Sequence, residues 1–443
     1  MAINEACDKY KKVLSEDEWR QIVTKKLQTT NFKIVQTSIS PLSEDQVGFM
    51  GDHLKLEASV EITDQKDGSI RKEDLHFFGK TVPVGNQAFK DYVDGTRSFC
   101  KEFYFFSSLI SDLKNYYVNN GQQSSWTCEC YLARLDMVVL ENLVVQGYQQ
   151  HDTRSAMDYD HCVIVLKTLA SFHAASVIFE ENQSKTFSGS TRKLTDIYPD
   201  IFFETEWVTT EGHPGNGLLV STIRAALNFL KYLPGYENNS EKFKIVREKL
   251  PEMLMNLCEY VKPSRIYRNV LTHGDPWTSN MFFRYETDNV PVEARFVDFQ
   301  LYRYNPPAAD VMCFLCLVTT REFRETNLER LLTTYYENFS AELRRHGLDP
   351  DQLELSWSEF KASCDFYIKV GRVTAAVYKQ QTAMKGDVLK TVFSNPQDMH
   401  MFMRVDKTKY VIDNILSDPY YRDENVNAME ELIERCILMA YLT

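Results

Sequence analysis

Two short segments in the second half of the chain carry residues that together could support phosphoryl transfer. The first is the run HGDPWTSN, in which Asp275 stands five residues before Asn280. The second is VDFQ, which follows a strand-like apolar stretch and contains Asp298. A loop carboxylate can accept a hydroxyl proton, and an amide oxygen with a second carboxylate can bind the divalent cations that bridge phosphate oxygens. These residues therefore predict a kinase centre, with Asp275 as base and Asn280 and Asp298 as metal ligands.

A plain turn is the alternative for the first segment. Glycine tolerates positive φ and aspartate hydrogen-bonds its own nearby backbone, so His-Gly-Asp also occurs in loops without chemistry. The presence of Asn280 and Asp298 after His-Gly-Asp favours the kinase interpretation, because a turn requires neither residue. Pro276 directly follows the predicted base, where it removes one backbone donor and stiffens the loop. We expect activity to tolerate it.

A kinase centre also requires a lysine that holds the phosphates and an acid that holds the lysine. Lys80 interrupts the apolar strand pattern of residues 75–82, where an unpaired ammonium would be costly. Glu102 lies in residues 98–106, whose aromatic side chains recur at helical spacing. We therefore predict an ion pair between Lys80 and Glu102. The alternative is an edge-strand lysine with its charged end in water and an ordinary solvated glutamate.

Two further segments are predicted to contact the nucleotide. Gly48 and Gly51 lie between strand-like runs, where a glycine turn could cover the phosphates, although an ordinary hairpin needs the same glycines. The apolar run 137–140 leads into Glu141 and Leu143, the position at which a two-lobed kinase has its adenine-binding hinge. A plain strand end would have the same sequence, so the order of the motifs along the chain carries this prediction.

Together these motifs resemble the ecdysteroid kinase-like (CHK kinase-like) family, which is similar to choline kinases and aminoglycoside phosphotransferases. Trp277 after His-Gly-Asp and Gln300 after Asp-Phe point to this family and away from protein kinases. The matching positions are Gly48, Gly51, Lys80, Phe99, Glu102, 140–143, 170–174, 273–280 and 297–300. The resemblance implies ATP and Mg²⁺, Asp275 as catalytic base, Asn280 and Asp298 as metal ligands, and a hydroxylated small molecule as acceptor.

Supporting roles are predicted for two residues near the reactive centre. His273 stands in the same loop as Asp275, and Asp310 opens a predicted helix that it could cap. In similar kinases an acid at the position of Asp310 braces the catalytic loop. His173 shares a helix face with apolar residues, so we interpret it as a hydrogen-bonded core histidine.

The acceptor is predicted to be an alcohol, and the resemblance favours an ecdysteroid or a related hydroxylated metabolite. Aromatic residues in the second half could line a pocket for a flat apolar alcohol, although core packing accounts for them equally well. They are Tyr335, Tyr336, Phe339, Trp357 and Tyr367. Choline- or ethanolamine-type alcohols and xenobiotics are alternative acceptors. A non-catalytic, nucleotide-dependent binding protein, or pseudokinase, is an alternative of a different class.

The periodicity of apolar residues predicts a small sheet with one packed helix, followed by a mostly α block. The family resemblance implies that this α+β chain has a two-lobed, protein-kinase-like fold. Residues 1–142 form the predicted nucleotide-binding lobe, with a small antiparallel sheet and a packed helix. Residues 143–443 form a larger, mostly α lobe that carries catalysis and substrate binding. A capping box at Ser15 predicts the first helix. Further predicted elements include strands over 33–39, 54–62, 74–82, 126–134 and 137–140, and a helix over 96–113.

The composition is that of an ordinary globular protein, with 443 residues of which 44% are hydrophobic and 25% charged. A formal net charge of -12 argues against general nucleic-acid binding, which depends on clustered Lys and Arg. The 10 cysteines lie mostly in apolar runs and are interpreted as reduced thiols. With no signal peptide and no run of about 18–20 apolar residues, we expect a cytoplasmic enzyme with neither a membrane nor an obligate protein partner.

Overall fold

The computed structural model describes residues 10, 13–42, 51–84, 86–117, 126–186, 192–236, 241–286 and 289–439. Within these ranges the N-terminal part is built on a five-stranded antiparallel sheet, and the C-terminal part is mostly helical. This is the two-lobed, protein-kinase-like α+β fold that the sequence predicts. The boundary proposed at residue 142 stays a prediction.

The large sheet has the strand order β1-β2-β3-β5-β4, with every neighbouring pair antiparallel. One face of the sheet is covered by helix α1, whose buried residue Trp19 contacts Phe77 edge to face. The capping box at Ser15 is present, because Ser15 accepts from the main-chain N–H of Glu18 and Glu18 bonds back to Ser15. The elements are α1 Glu16–Leu27, β1 Phe32–Pro41, β2 Asp52–Thr63, β3 Ile70–Thr81, β4 Cys130–Arg134 and β5 Met137–Glu141.

A broken helix crosses the other face of this sheet. The single helix predicted over 96–113 begins earlier and ends later, and the left-handed backbone at Arg97 divides it. A π-helical turn interrupts its second half, a feature that apolar periodicity cannot reveal. The segments are α2 Gln87–Thr96, α3 Ser98–Tyr104, the π-helix Phe105–Leu109 and α4 Ile110–Tyr117.

The C-terminal part surrounds a long central helix and two small sheets, one pairing β7 with β10 and the other ordered β6-β8-β9. Its strands are β6 Gln149–Gln150, β7 Val270–Thr272, β8 Met281–Tyr285, β9 Pro291–Phe296 and β10 Arg303–Asn305. Its helices are α5 Tyr159–Thr186, α6 Leu194–Ile197, α7 Pro214–Phe229, α8 Glu241–Met255, α9 Leu257–Tyr260, α10 Pro307–Val318, α11 Arg321–Arg345, α12 Trp357–Thr382, α13 Gly386–Ser394, α14 Pro396–His400, α15 Thr408–Ser417 and α16 Pro419–Leu432. Short 3₁₀ and π segments follow several of these helices, among them the π-helix Met401–Val405.

Several predicted boundaries differ from the structure. The strand predicted over 126–134 is confined to β4 within the described part of the chain. Helices α13 and α14 were not predicted, because Gly386, Asn395 and Pro396 are residues typical of turns. Asn395 instead caps α14 by accepting from the main-chain N–H groups of Gln397 and Asp398.

Helix α5 corrects the expectation that no segment is apolar enough to cross a membrane. By length and composition α5 passes that test, but 72% of its most apolar window is buried inside the protein. It packs against α4, α11 and β9 at the centre of the large hydrophobic core. A helix that is apolar on nearly all sides is expected at such a position.

A stack of aromatic rings joins the interrupted helix to the segment that follows β9. Phe299 is fully buried, and its ring lies parallel to that of Phe105 with the centroids 3.8 Å apart. Phe172 of α5 and His273 complete its surroundings, with centroids at 5.8 and 4.6 Å. The position of Asp298 therefore depends on packing contributed by both parts of the chain.

We predict that Phe299→Ala lowers the free energy of unfolding by about 3–5 kcal/mol, because it removes a fully buried ring and leaves a cavity between rigid neighbours. Denaturant titration followed by circular dichroism measures the loss. Phe366→Ala is the matched control, since Phe366 on α12 is 39% exposed and should cost far less. Equal losses for the two variants would contradict the role given to the stack.

Candidate active site

A buried ammonium joins two carboxylates from different parts of the chain. Lys80, near the end of β3, lies 2.9 Å from Glu102 Oε2 and 2.8 Å from Asp298 Oδ1 through its Nζ atom. Burial alone would lower the pKa of Lys80, but the two carboxylates raise it above its ordinary value, so the side chain is a cation. The predicted ion pair with Glu102 is present, and Asp298 is a second partner.

Asp275 and Asn280 face one another across a short loop that follows β7. The side-chain Nδ2 of Asn280 donates to Asp275 Oδ2 at 2.8 Å and to the main-chain carbonyl of Asp275 at 3.0 Å. The N–H of Val297 donates to the carbonyl of Asn280 at 3.0 Å, which holds the loop beside the end of β9. Asp275, Asn280 and Asp298 therefore line one cleft, together with Lys80.

The carboxylate of Asp310 holds this loop in place through hydrogen bonds to its main chain. The carboxylate accepts from the main-chain N–H of His273 at 2.6 Å and from that of Gly274 at 2.9 Å. His173 Nε2 lies 3.1 Å from the same carboxylate, and Tyr335 bonds the other ring nitrogen of His173. Burial alone would raise the pKa of Asp310, but these partners hold it below the ordinary value.

The geometry agrees with the supporting positions predicted for His273 and Asp310. The ring of His273 is buried and bonds the carbonyl of Val297 at 3.0 Å, so it links the catalytic loop to the Asp298 segment. Asp310 opens α10, as expected, but its carboxylate is directed to the loop. His173 is the hydrogen-bonded core histidine that the sequence indicates.

A second buried network supports the same loop and was missed from the sequence. Arg303 on β10 donates to the carbonyl of Gly274 at 2.9 Å and forms two bonds with the carboxylate of Glu204, at 2.7 and 2.9 Å. Burial would raise the pKa of Glu204, but Arg303 lowers it to about 2. Lys101 donates to the carbonyl of Tyr302 nearby. Arginine and glutamate 99 residues apart carry no local signal of such a contact.

The environment of Asp275 suits a proton acceptor. Burial, followed by the negative charge of Asp298, raises the pKa of Asp275 to about 7, although Tyr378, Arg303 and Asn280 oppose the shift. Its Oδ1 atom is buried and has no hydrogen-bond partner. A base whose pKa lies near the working pH is effective, because it is available to accept a proton and retains affinity for it.

The donor set also fits a divalent cation of the magnesium type. In the described ranges there is no cluster of three or more His, Cys, Asp or Glu side chains that could enclose a metal. Magnesium does not require one, because it keeps several waters and usually binds one or two carboxylates together with phosphate oxygens. Asp298 and the amide oxygen of Asn280 lie on the cleft and are the residues that would hold it. Asp298 adopts φ +66°, a strained backbone of the kind found at functional sites.

Four of the predicted nucleotide-binding residues line the cleft: Lys80, Glu102, Glu141 and Leu143. Glu141 also pairs through its side chain with Arg295 at 3.0 Å. Gly51 packs so closely on Thr81 that a Cβ atom would lie 2.9 Å from the Thr81 carbonyl oxygen. Gly48 lies outside the described residues. Contacts of these residues with a nucleotide stay predictions.

The part of the cleft around Asp275, which we call the acceptor end, also has lining residues that the sequence did not indicate: Glu206, Trp207, Tyr378 and Lys407. Asp275 interacts electrostatically with Glu206 and Tyr378, and Glu206 interacts with Lys407. The cleft has a volume of about 270 Å³. The aromatic residues for which the sequence left pocket lining and core packing as alternatives do not line the cleft, so core packing accounts for them. They pack as rings in the core between α11 and α12 or at its edge: Tyr335, Tyr336, Phe339, Trp357 and Tyr367.

A sequence comparison identifies the family to which these motifs belong. The profile of the ecdysteroid kinase-like family matches residues 48–348, which is more than half of the chain. The chain belongs to the ecdysteroid kinase-like family. The match includes the predicted base, both predicted metal ligands and the Lys80–Glu102 pair. The family resemblance seen in the sequence is therefore confirmed.

Individual relatives are more distant. An uncharacterised kinase-like protein of Caenorhabditis elegans is 32% identical over 88 residues, which are 20% of this chain and 23% of that protein. Plasmodium vivax ethanolamine kinase is 11% identical, with 95% of this chain and 96% of that chain covered and a TM-score of 0.37. A choline/ethanolamine kinase family protein from Mesorhizobium loti is 12% identical, with 87% and 91% covered and a TM-score of 0.30.

We predict that Gly274→Ala destabilises the fold by more than about 3 kcal/mol and abolishes activity. Gly274 has φ +80°, and an added Cβ would lie 1.9 Å from the carbonyl oxygen of Leu301. Gly347→Ala is the matched control, because Gly347 has φ +73° but faces open space and should cost only about 1 kcal/mol. Thermal and denaturant unfolding of both variants measure the difference. Similar stability of the two would show that the loop can move away from Leu301.

Proposed function

We propose that this member of the ecdysteroid kinase-like family uses ATP and Mg²⁺ to phosphorylate the hydroxyl group of a small-molecule alcohol. The proposal rests on one observation: a single cleft is lined by Lys80, Asp275, Asn280 and Asp298. A nucleotide carrier would need the lysine and its acid, but it has no need of a base whose pKa is raised towards neutrality.

The proposed roles follow from what each side chain can do. Lys80, fixed by Glu102, would bind the nucleotide phosphates. Glu141 and Leu143 would lie beside the adenine of the nucleotide. Asp275 would orient the acceptor hydroxyl and take its proton on its carboxylate. Asp298 and Asn280 would hold magnesium, which would neutralise charge on the phosphate oxygens.

We further propose an ecdysteroid or a related hydroxylated metabolite as the acceptor. Family membership supports this choice, and the acceptor end of the cleft offers the apolar side chains of Trp207, Leu218 and Met403 to a largely apolar molecule. We also propose that the enzyme acts in the cytoplasm without nucleic acid, membrane or an obligate protein partner. The formal net charge of -12 supports the exclusion of nucleic acid as a partner.

The direct test is ATP consumption by the purified protein with and without Mg²⁺, across ecdysteroids, choline, ethanolamine and plant-derived alcohols. We expect one class of alcohol to be phosphorylated and Asp275→Asn to lower kcat by about 10²- to 10⁴-fold, because the proton acceptor is lost. Binding of a non-hydrolysable ATP analogue should persist in the variant. Equal inactivity of wild type and variant on every alcohol, with nucleotide binding intact, would favour a pseudokinase.

The raised pKa of Asp275 predicts a specific pH profile. Only the ionised carboxylate can accept the hydroxyl proton, so kcat/KM for MgATP should rise with pH and level off above about 7. A carboxyl with an ordinary pKa would give a flat profile from pH 6 to 8. Affinity for a non-hydrolysable ATP analogue over the same range is the control, because it reports the titration of the nucleotide itself. A flat profile after this correction would contradict the assignment of Asp275.

A further inference from the structure

The acceptor end of the cleft contains an opposite pair of charges with incomplete hydrogen bonding. Glu206 is 3% exposed and Lys407 is 1% exposed, yet both line the cleft. Tyr92 donates to Glu206 Oε1, whereas Glu206 Oε2 is buried without a partner. In the described part of the chain no carboxylate lies within ion-pair distance of Lys407, whose ammonium instead lies 4.8 Å from the centre of the Phe402 ring.

Helix α7 builds this pair into the wall of the cleft. A Cβ at Gly215 would lie 1.9 Å from the carbonyl oxygen of Glu206, so the absence of a side chain lets the helix contact the Glu206 backbone directly. Ser221, six residues later, accepts from the main-chain N–H of Lys407 at 2.9 Å and donates to the carbonyl of Phe402 at 2.8 Å. One helix therefore fixes the backbone at both charged residues.

The pair is linked electrostatically to Asp275. The charge of Asp275 acts on both Glu206 and Tyr378, and Glu206 in turn acts on Lys407. Burial raises the pKa of Glu206 to about 7 and lowers the pKa of Lys407 to about 7, so each group is costly in its charged form without a ligand. Trp207 and Tyr378, with ring centroids 5.9 Å apart, supply apolar surface between the two regions.

The chemistry of the pair favours one kind of ligand group. A hydroxyl can donate to Glu206 Oε2 and accept from the Lys407 ammonium at the same time. A quaternary ammonium has no proton to donate and would be repelled by Lys407, whereas an anion would be repelled by Glu206 and Asp275. The two charges of the pair are opposite in sign, so the pair itself has no net charge that would attract either kind of ion.

We propose that Glu206 and Lys407 form a subsite that binds a second hydroxyl of a neutral acceptor while the first hydroxyl lies at Asp275. The subsite selects neutral, polyhydroxylated acceptors over cationic amino alcohols. It rests on the proposed function, since it defines the specificity of the same transfer reaction.

The test measures binding and turnover separately. Ecdysone, analogues that each lack one hydroxyl, and choline are titrated calorimetrically into the protein saturated with a non-hydrolysable ATP analogue, and kcat/KM is measured with ATP. For wild type we expect ecdysone to bind at least 100-fold more tightly than choline, and one deoxy analogue to bind about 100-fold more weakly than ecdysone.

Two variants should shift this preference in opposite directions. Lys407→Met leaves Glu206 without its counter-charge, so the affinity for choline should rise at least 10-fold and the deoxy analogue should lose its disadvantage. Glu206→Gln leaves Lys407 unbalanced, so the affinity for choline should fall below that of wild type. Lys361→Met is the matched control, because Lys361 pairs with Glu329 at the surface, at 2.6 Å, outside the cleft. Nucleotide affinity should be unchanged in all three.

The outcomes separate this inference from the proposed function. Binding of ecdysone without phosphate transfer would refute the proposed function and leave the subsite standing. Transfer to ecdysone with unchanged selectivity in both variants would refute the subsite alone. Tighter binding of choline than of ecdysone by wild type, or binding of neither, would overturn the assignment to neutral acceptors.

Discussion

The buried carboxylate of Asp310 is the constraint on which the catalytic loop depends. An isolated anion in the protein interior is costly, so it must be satisfied by several donors. Asp310 obtains them from the main chain of His273 and Gly274 and from the ring of His173. These bonds fix the backbone directly before Asp275, and the left-handed turn at Gly274 is acceptable only without a side chain. The carboxylate proposed to accept the proton is thus positioned by a second carboxylate, through the backbone that precedes it.

The electrostatics of the cleft follow from the number of negative charges gathered there. Asp275 and Asp298 repel one another, and Glu102 adds a third carboxylate, while Lys80 neutralises only part of this charge. Burial, followed by the negative charge of Asp298, raises the pKa of Asp275. A cation that binds beside Asp298 would reduce the second of these effects, so affinity for metal and basicity of Asp275 are coupled through the charge of Asp298.

The sequence indicated three polar residues that the structure brings to one cleft, because their spacing is local, whereas it did not indicate the residues that surround them. Asp275 and Asn280 lie in one loop, and Asp298 ends the next strand pair, so chemistry and order along the chain sufficed. Arg303, Glu204, Glu206 and Lys407 acquire their roles from contacts between distant segments. For the α11–α12 aromatics the sequence left pocket lining and core packing open, because helical periodicity marks a buried face without indicating what it faces.

The two sides of helix α7 make different contacts. Gly215 and Ser221 contact the backbone of neighbouring segments, while Leu218 and Thr222, four residues apart, face the cleft. A change at Leu218 or Thr222 alters the shape offered to an acceptor without disturbing the contacts that hold the wall together. A laboratory library confined to Leu218 and Thr222 could therefore redirect substrate choice while the scaffold stays intact.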